Sequence, residues 1–577
     1  MSRLARLLPA TGWLRQYTSA EFNSDLIAAA VVTVMLIPQS LAYAMLAGAP
    51  PVMGLYASIL PLVAYALFGS SRTLSVGPVA IVSLMTATAV GQVVEPGSAE
   101  YISATITLAL LSGVMMLLMG LLRFGMLANL LSHPVVAGFI TASSIIIVLS
   151  QLKHILGISA QGENAFALTA DLLANITATN LSTLCVGGFA LAFLFWARKG
   201  LSPLLEAAGL STANASRLAK AGPVLAVIVT TLAAWMLELD QRAVALVGAI
   251  PAGLPSLSLP TFEVNQWREL AGAALLISII GYVESVSVGK TLAAKRGQRI
   301  DANQELIGLG AANVASAVSG GIPVTGGFSR SVVNFEAGAA TQMASILTAI
   351  GIGLAALLLT PYLAYLPKAT LAAAIIVAIS SLIDLSSIKR AWLYSKSDFI
   401  AVATTIGITL GLGVELGVIC GVVASIALHL HKTSQPHIAV VGEVPGTEHF
   451  RNVERHRVIT TPRIVTLRID ESLYFANVSF VEDKIYAILA ENPEVEHIIL
   501  MCTAINEIDL SALEVLESVN ERIRELGADL HLSEVKGPVM DALKKTDFLD
   551  KLTGKVYLSQ HQAIAELEIA TPSVYFP

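Results

Sequence analysis

Gly320-Gly321-Ile322-Pro323-Val324-Thr325-Gly326-Gly327 leads into Phe328-Ser329-Arg330 and a short apolar run over 326–338. It has a counterpart far upstream, where the polar stretch Ser70-Ser71-Arg72-Thr73 precedes Gly77-Pro78 and a short apolar run near 77–91. The surrounding chain has 55% hydrophobic and only 13% charged residues, with a mean hydropathy of +0.72. A soluble globular protein averages about 25% charged residues, so this is a polytopic membrane protein. Apolar segments fall near 24–46, 55–69, 78–93, 103–121, 127–151, 181–197, 222–238, 270–289, 305–320, 328–338, 341–360, 367–383, 398–412 and 414–430. The two glycine-broken segments are the third and the tenth, the same position in two sets of seven. Short, Gly/Pro-interrupted segments at matching places in two halves predict an inverted-repeat transporter. Two half-helices whose N-termini meet at the midplane aim unpaired N–H groups and positive dipole ends at one point, which suits an anion. Ser75, Thr325, Ser329 and Arg330 add donors there. The alternative use of these glycines is close helix packing alone.

A second signal is Leu276-Ile277-Ser278-Ile279-Ile280-Gly281-Tyr282-Val283-Glu284-Ser285-Val286-Ser287-Val288-Gly289, in a run long enough to cross a bilayer. Most other apolar spans carry no charge. A carboxylate at membrane depth costs at least about 2.5 kcal/mol, so Glu284 is expected to face a polar cavity, a bound ion or a proton path, or else to snorkel from a helix end.

Charge also divides and orients the chain. It is sparse to about His431 and ordinary from about Thr433, which predicts a membrane unit over 1–432 and a soluble unit over 433–577, large enough for its own core. With the N-terminus inside, the inner loops hold Arg72, Arg123, Arg198, Lys199, Arg217, Lys220, Lys290, Lys295, Arg296, Arg299, Lys389, Arg390 and Lys396. The outer loops hold mainly Lys153, Arg242, Arg268 and Lys368. The positive-inside rule then places both termini and the soluble unit in the cytoplasm, with the chain multi-pass in the inner (plasma) membrane. Arg3, Arg6 and Arg15 precede a first apolar segment of full spanning length, so no cleavable signal peptide is expected. Cys185, Cys420 and Cys502 lie too far apart for a metal-ligand spacing or a disulfide framework. The net charge of -6 says little about partners, and no nucleic acid is expected among them.

In the soluble unit, the run from Ile464 to Asn477 alternates like a strand leading into a helix, and His497–Cys502 and Asp529–Ser533 read as further strands. Strands alternating with helices give a small α/β layer. Asp509 or Ser511 caps the helix that begins near Ile508-Asp509-Leu510-Ser511. No nucleotide-binding glycine loop, nucleophile–base pair or metal cluster is visible, so no enzyme, cofactor or metal is expected.

Several ordered motifs carry a resemblance. Pro38-Gln39-Ser40-Leu41-Ala42-Tyr43-Ala44, Pro51-Val52-Met53-Gly54-Leu55-Tyr56, Leu67-Phe68-Gly69-Ser70-Ser71-Arg72, Ser75-Val76-Gly77-Pro78-Val79-Ala80, Asn303-Gln304-Glu305-Leu306 and Gly327-Phe328-Ser329-Arg330-Ser331 together resemble the signature of the sulfate permease (SulP) anion transporters. The resemblance implies an α-helical fold of fourteen transmembrane segments in 7+7 inverted repeats, divided into core and gate domains. It also implies a cytoplasmic α/β domain shared by sulfate transporters and anti-sigma factor antagonists (STAS), elevator-type alternating access, and a homodimer. Its anion pocket carries over to Gln39, Tyr43, Val79, Ala80, Gly327, Phe328, Ser329 and Arg330. Arg330 either sets a positive potential or turns away to pair with a carboxylate such as Glu336. In the family, a carboxylate at the position of Glu284 goes with proton coupling, since desolvation lets it load a proton with the anion. Sodium is the other coupling ion, with Glu284, Ser285, Ser287 and nearby carbonyls as oxygen ligands, although Val288 offers no hydroxyl. Asp509-Leu510-Ser511 matches the antagonist loop with a phosphorylatable serine, which makes Ser511 a candidate regulatory site beside its reading as a plain cap. The resulting expectation is proton-coupled sulfate uptake. Sodium-dependent bicarbonate transport, dicarboxylate–proton symport, an uncoupled channel and a membrane-anchored signalling role are the alternatives.

Overall fold

The computed structural model describes residues 8–568 and 574–575, except 96, 130, 131, 163, 213, 214, 216–218, 220, 252, 259, 261 and 262. Arg3, Arg6, Arg217 and Lys220 of the charge argument therefore lie outside the described residues. The chain parts into two compact units, Met1–Ser425 and Ile426–Pro577.

Each of the fourteen apolar segments is helical in the first unit or at its end. In chain order the helices are α1 (Ser19–Leu46), α2 (Pro51–Phe68, broken near Ala57), α3 (Ala80–Val93), α4 (Ala99–Leu121), α5 (His133–Leu156), α6 (Leu181–Ala207) and α7 (Gly222–Met236). The second seven are α8 (Val264–Ala294), α9 (Ala302–Val318), α10 (Phe328–Glu336), α11 (Met343–Leu358), α12 (Lys368–Ser380), α13 (Lys396–Leu412) and α14 (Val414–Ser434). Two shorter helices, Ala165–Ala174 and Leu385–Tyr394, were not legible as spans because neither is long enough to cross.

Several of the long helices begin on a side-chain cap. Thr18 and Glu21 form a reciprocal capping box at α1. Ser98 caps α4, Asn180 caps α6, Asp301 caps α9 and Ser395 caps α13. Helices α3 and α10 start at Val79 and Gly327 with no side-chain cap, as do α2, α5, α7, α8, α11 and α12 at their own starts. What sets α3 and α10 apart is that each follows a short strand, Val76–Gly77 or Thr325–Gly326, with its first N–H groups left available.

The helices form two packed groups. Helices α1–α4 pack with α8–α11, and α5–α7 pack with α12 and α13. Gly417 and Gly421 of α14 lie against Thr409 and Thr405 of α13. The first group has a core around Tyr65, Met116, Tyr282, Leu309 and Val324. The second has its own around Ile155, Leu194, Ala226, Ala373 and Ile376. Helix α1 bridges the groups by touching α7 and α12.

The repeats meet in a two-residue antiparallel ladder, β1 (Val76–Gly77) on β2 (Thr325–Gly326), with Val76 opposite Gly326 and Gly77 opposite Thr325. Each strand leads directly into its half-helix.

The second unit is a mixed sheet of strands β3 (Ile438–Glu443), β4 (Phe450–Asn452), β5 (Ile459–Thr460), β6 (Ile464–Ile469), β7 (His497–Met501), β8 (Asp529–Ser533), β9 (Val556–Tyr557) and β10 (Val574–Tyr575). Its order is β10-β5-β3-β6-β7-β8-β9, with β4 on β3. The run β6-β7-β8-β9 is parallel. Helices α15 (Val478–Glu491) and α16 (Leu510–Glu525) bury Val481, Ile485, Leu516 and Ile523 with Leu467, Leu500 and Leu530 of the strands. The three strands read from sequence are β6, β7 and β8. Six-residue β3 and the two- and three-residue β5 and β4 precede them and were not read from the sequence.

Candidate functional site

A cavity opens where the two half-helices approach α1, α8 and α12. Its walls include Gln39 and Tyr43 of α1, Val79, Ala80 and Ile81 at the start of α3, and Gly327, Phe328, Ser329 and Arg330 at the start of α10. Glu284 of α8 completes it, with Ala378, Ile379 and Leu382 on the α12 side. The structure thus brings together all eight residues expected to hold the anion and the carboxylate expected to couple its movement. Ile81, Ala378, Ile379 and Leu382 were not anticipated. They are ordinary apolar residues, and nothing in their local pattern separates them from core.

Gln39 follows Pro38 inside α1, where a proline removes one helical hydrogen bond. Among the described residues its amide has no hydrogen-bond partner, so its donors are free for a ligand. Tyr43, one turn on, is 8% exposed and forms an aromatic wall. The uncapped N-termini of α3 and α10 supply backbone N–H groups and the positive ends of two helix dipoles.

Arg330 is 2% exposed and turns behind the half-helices. Its Nη2 donates to the Pro78 carbonyl at 2.7 Å and to the Thr325 carbonyl at 3.4 Å, while Nη1 has no partner. Glycines make room for it: a Cβ on Gly77 would lie 2.5 Å from Arg330 Nη1, and one on Gly327 2.7 Å from Nε. The guanidinium is therefore built into the crossing as a fixed positive charge, near enough to act electrostatically on Tyr43 and Glu284.

Glu284 lines both this cavity and a second, otherwise apolar one formed by Val135, Phe139, Ile140, Ile280 and Val418 among others. Its Oε2 is buried without a hydrogen-bond partner. The neighbouring hydroxyl is not available to it. Ser285 Oγ donates to the Gly281 carbonyl, lies 2.7 Å from Thr325 Oγ1 and accepts from Gly326 N–H at 2.8 Å, tying α8 to β2. Ser287 is exposed.

Ser75 and Thr325 lie behind the cavity, where they hold its backbone. Ser75 N–H donates to Ser331 Oγ at 3.0 Å, and Thr325 Oγ1 donates to the Gly281 carbonyl at 2.7 Å. Asn313 of α9 clamps Val324, donating to its carbonyl at 2.8 Å and accepting from its N–H at 2.9 Å. Glu305, fully buried, accepts from Tyr65 Oη at 2.6 Å, Ser70 Oγ at 2.7 Å, Ser70 N–H at 2.9 Å and Ser71 N–H at 3.0 Å. It fixes the segment that enters β1. Its surroundings explain why this second buried carboxylate needs no ion: four donors satisfy it.

In the second unit, Asp509 is the cap of α16. Its Oδ1 accepts from Ala512 N–H at 2.8 Å, and its Oδ2 accepts from Phe475 N–H at 2.9 Å. Ser511 is not the cap, because the carboxylate two residues earlier already takes that N–H; its side chain is exposed. On adjacent parallel strands, His497, Asp529 and His531 converge with metal-like spacing. However, His531 Nδ1 accepts from Lys555 N–H at 3.0 Å, which leaves the proton on Nε2, where it points at His497 Nδ1 3.2 Å away. That tautomer does not suit a ligand. Cys185, Cys420 and Cys502 are all free thiols.

Comparison with known proteins agrees with this architecture. The sulfate permease family profile matches residues 22–405, and a STAS domain profile matches residues 456–563. Sulfate transporter 4.1, chloroplastic, of Arabidopsis thaliana is 35% identical over 573 residues, covering 97% of this chain and 82% of the relative. A probable sulfate transporter of Mycobacterium tuberculosis is 32% identical over 557 residues, covering 94% and 96%. Among solved structures, the murine solute carrier 26 family member A9 anion transporter in the inward-facing state aligns with a TM-score of 0.88 at 24% identity, covering 98% of this chain and 94% of that one. The transmembrane domain of a cyanobacterial bicarbonate transporter aligns with a TM-score of 0.59 at 20% identity, covering 71% and 98%. The chain belongs to the sulfate permease family and carries that family's fourteen-helix inverted-repeat membrane unit together with a STAS domain.

Proposed function

We propose that the protein takes up sulfate together with protons, by an elevator-type movement of the half-helix group against the other group. The observation that carries the reading is the shared cavity: Gln39, Tyr43 and two uncapped half-helix N-termini face the same space as Glu284, whose Oε2 lacks a partner. The N–H groups of Ala80 and Ile81 on one side and of Phe328 and Ser329 on the other bind the oxyanion. Gln39 donates from α1, and Arg330 holds positive potential behind the cradle. Glu284 takes a proton before the loaded carrier moves, so that its charge does not cross the membrane bare.

Two features favour a proton over sodium. Ser285 Oγ is spent on Thr325 and Gly326, and Ser287 is exposed, so the hard oxygen ligands a sodium site needs are not gathered around Glu284. Sulfate is favoured among small anions because two relatives, at 35% and 32% identity, are named as a sulfate transporter and a probable sulfate transporter. The loop charge bias supports both termini and the STAS domain in the cytoplasm; the plasma-membrane setting and the homodimer rest on the family resemblance. Exposed Ser511 is the candidate phosphorylation site of the STAS domain.

The test is uptake of labelled sulfate into proteoliposomes under an inward proton gradient, comparing the native protein with Glu284→Gln. Gradient-driven uptake that collapses in the variant is the expected result. Equal, gradient-independent uptake in both proteins would remove Glu284 from the mechanism. No sulfate uptake at all would redirect the substrate to bicarbonate with sodium, then to dicarboxylates.

A further inference from the structure

A separate cavity lies at the end of the membrane unit that carries the α2–β1 and α8–α9 connections. Its walls include Trp13 of the N-terminal segment, Ser70, Ser71 and Arg72 of the first connection, Arg299 of the second, and Gln342 just before α11. None of these residues lines the cavity around Glu284.

Three observations point to a ligand here. Trp13 is 7% and Gln342 2% exposed, yet Trp13 Nε1 and Gln342 Oε1 have no hydrogen-bond partner. A buried indole N–H and a buried amide oxygen left unpaired are both costly, so both call for an occupant. Arg72 and Arg299 are exposed at the cavity, and neither has an ion-pair partner among the described residues. The carboxylates around them are already engaged. Glu305 is filled by Tyr65, Ser70 and Ser71, Asp301 caps α9, and Asp25 accepts from Ala340 and Thr341 N–H groups. Arg296, which is close enough to Arg72 to repel it, adds to the positive field while its own donors go to the Phe335 and Ala339 carbonyls.

We propose that this cavity binds a phosphate-bearing group, held by the guanidinium groups of Arg72 and Arg299 and by the Trp13 indole N–H. Gln342 Oε1 accepts from a hydroxyl of the same group, either a protonated phosphate oxygen or a glycerol hydroxyl. Two sources offer this chemistry: the headgroup of an anionic phospholipid, or free inorganic phosphate. The position suits the first, because tryptophan and arginine concentrate at the membrane–water boundary and basic pockets there take lipid phosphates.

Occupancy has a mechanical effect. Gln342 Nε2 donates to the Ser71 and Leu74 carbonyls, and Glu305 holds Ser70 and Ser71 from the other side. A phosphate bridging Arg72 to Arg299 braces this same segment two to six residues before β1.

The test uses amide hydrogen exchange of the full-length protein over residues 69–76. One arm compares nanodiscs of phosphatidylcholine alone with nanodiscs containing phosphatidylglycerol, and the other adds inorganic phosphate to protein in detergent. Exchange slowed severalfold in the phosphatidylglycerol arm, and restored in Arg72→Gln/Arg299→Gln, identifies a lipid site. The same pattern with inorganic phosphate alone identifies a soluble anion as the occupant. Arg299→Gln alone, on the exposed connection, serves if the double variant does not fold, and it should weaken the protection about tenfold in ligand concentration. No slowing in either arm, or equal slowing in native and variant proteins, overturns the proposal.

Discussion

Arg330 and Pro78 are joined by a 2.7 Å hydrogen bond across 252 positions of sequence, from the guanidinium of one half-helix to the carbonyl just ahead of the other. The bond makes the arginine a clamp as well as a charge. Arg330→Lys keeps the charge but loses the planar fork that reaches the carbonyl. It should retain part of the sulfate uptake. Arg330→Gln loses the charge too, and uptake should fall at least about tenfold. Initial rates in proteoliposomes at matched protein levels separate the two variants; equal activity in both would mean that neither charge nor clamp matters.

Glu305 offers a different prediction, because its charge serves the fold. Glu305→Ala strands the Tyr65 hydroxyl and the Ser70 and Ser71 N–H groups in a buried site, at a cost of about 3–5 kcal/mol. Thermal unfolding in detergent should show a clear drop in midpoint. A stable variant with unchanged uptake would contradict the role assigned to this residue.

The cap of α16 separates two neighbouring residues by function. Asp509→Ala removes bonds to Ala512 and Phe475 N–H groups and should destabilise the STAS fold by about 1–2 kcal/mol. Ser511→Ala should change its stability by less than about 0.5 kcal/mol, since an exposed side chain away from a cap does little. Protease sensitivity of the STAS unit in the intact protein, read over a denaturant series, distinguishes them.

Acid should loosen the same unit. Burial, helped by the neighbouring His497 and Lys555 and opposed by Glu566, pushes His531 from its ordinary 6.5 down to about 4. His497 is lowered as well, chiefly by burial, with Asp529 opposing and Arg463 assisting. Tyr557 packs its ring on His531 from β9. The folded state thus binds fewer protons than the unfolded state between these values. The stabilisation is complete above about pH 6.5 and is lost as pH falls toward 4, by about 2–3 kcal/mol for His531. Amide protection in β7 and β8 should decline over that range. Substituting His531→Gln, which cannot charge, should flatten the decline.

Much of this was legible in sequence for definite reasons. Gly320–Gly327 and Ser70–Pro78 announced the half-helices because glycine, proline and polar residues are conspicuous in an apolar chain. Glu284 stood out for the same reason. The cavity wall on α12 was not legible: Ala378, Ile379 and Leu382 belong to it only through tertiary packing. Nor was the division of labour between two carboxylates. Glu305 follows polar Asp301-Ala302-Asn303-Gln304 and Glu284 sits in an apolar run, but only the fold brings four donors to Glu305 and leaves Glu284 Oε2 without one. The Asp-Leu-Ser stretch left the cap open between Asp509 and Ser511, and only backbone geometry decides it.

The ladder of Val76–Gly77 on Thr325–Gly326 has a bearing on direction. With the Arg330–Pro78 bond beside it, it locks the spacing of the two half-helix tips like the jaws of a set caliper. In the cycle proposed above, the same gauge is offered to the anion from either side of the membrane. The caliper itself cannot prefer inward over outward passage, and the bias must come from what travels alongside the anion and from the voltage it crosses.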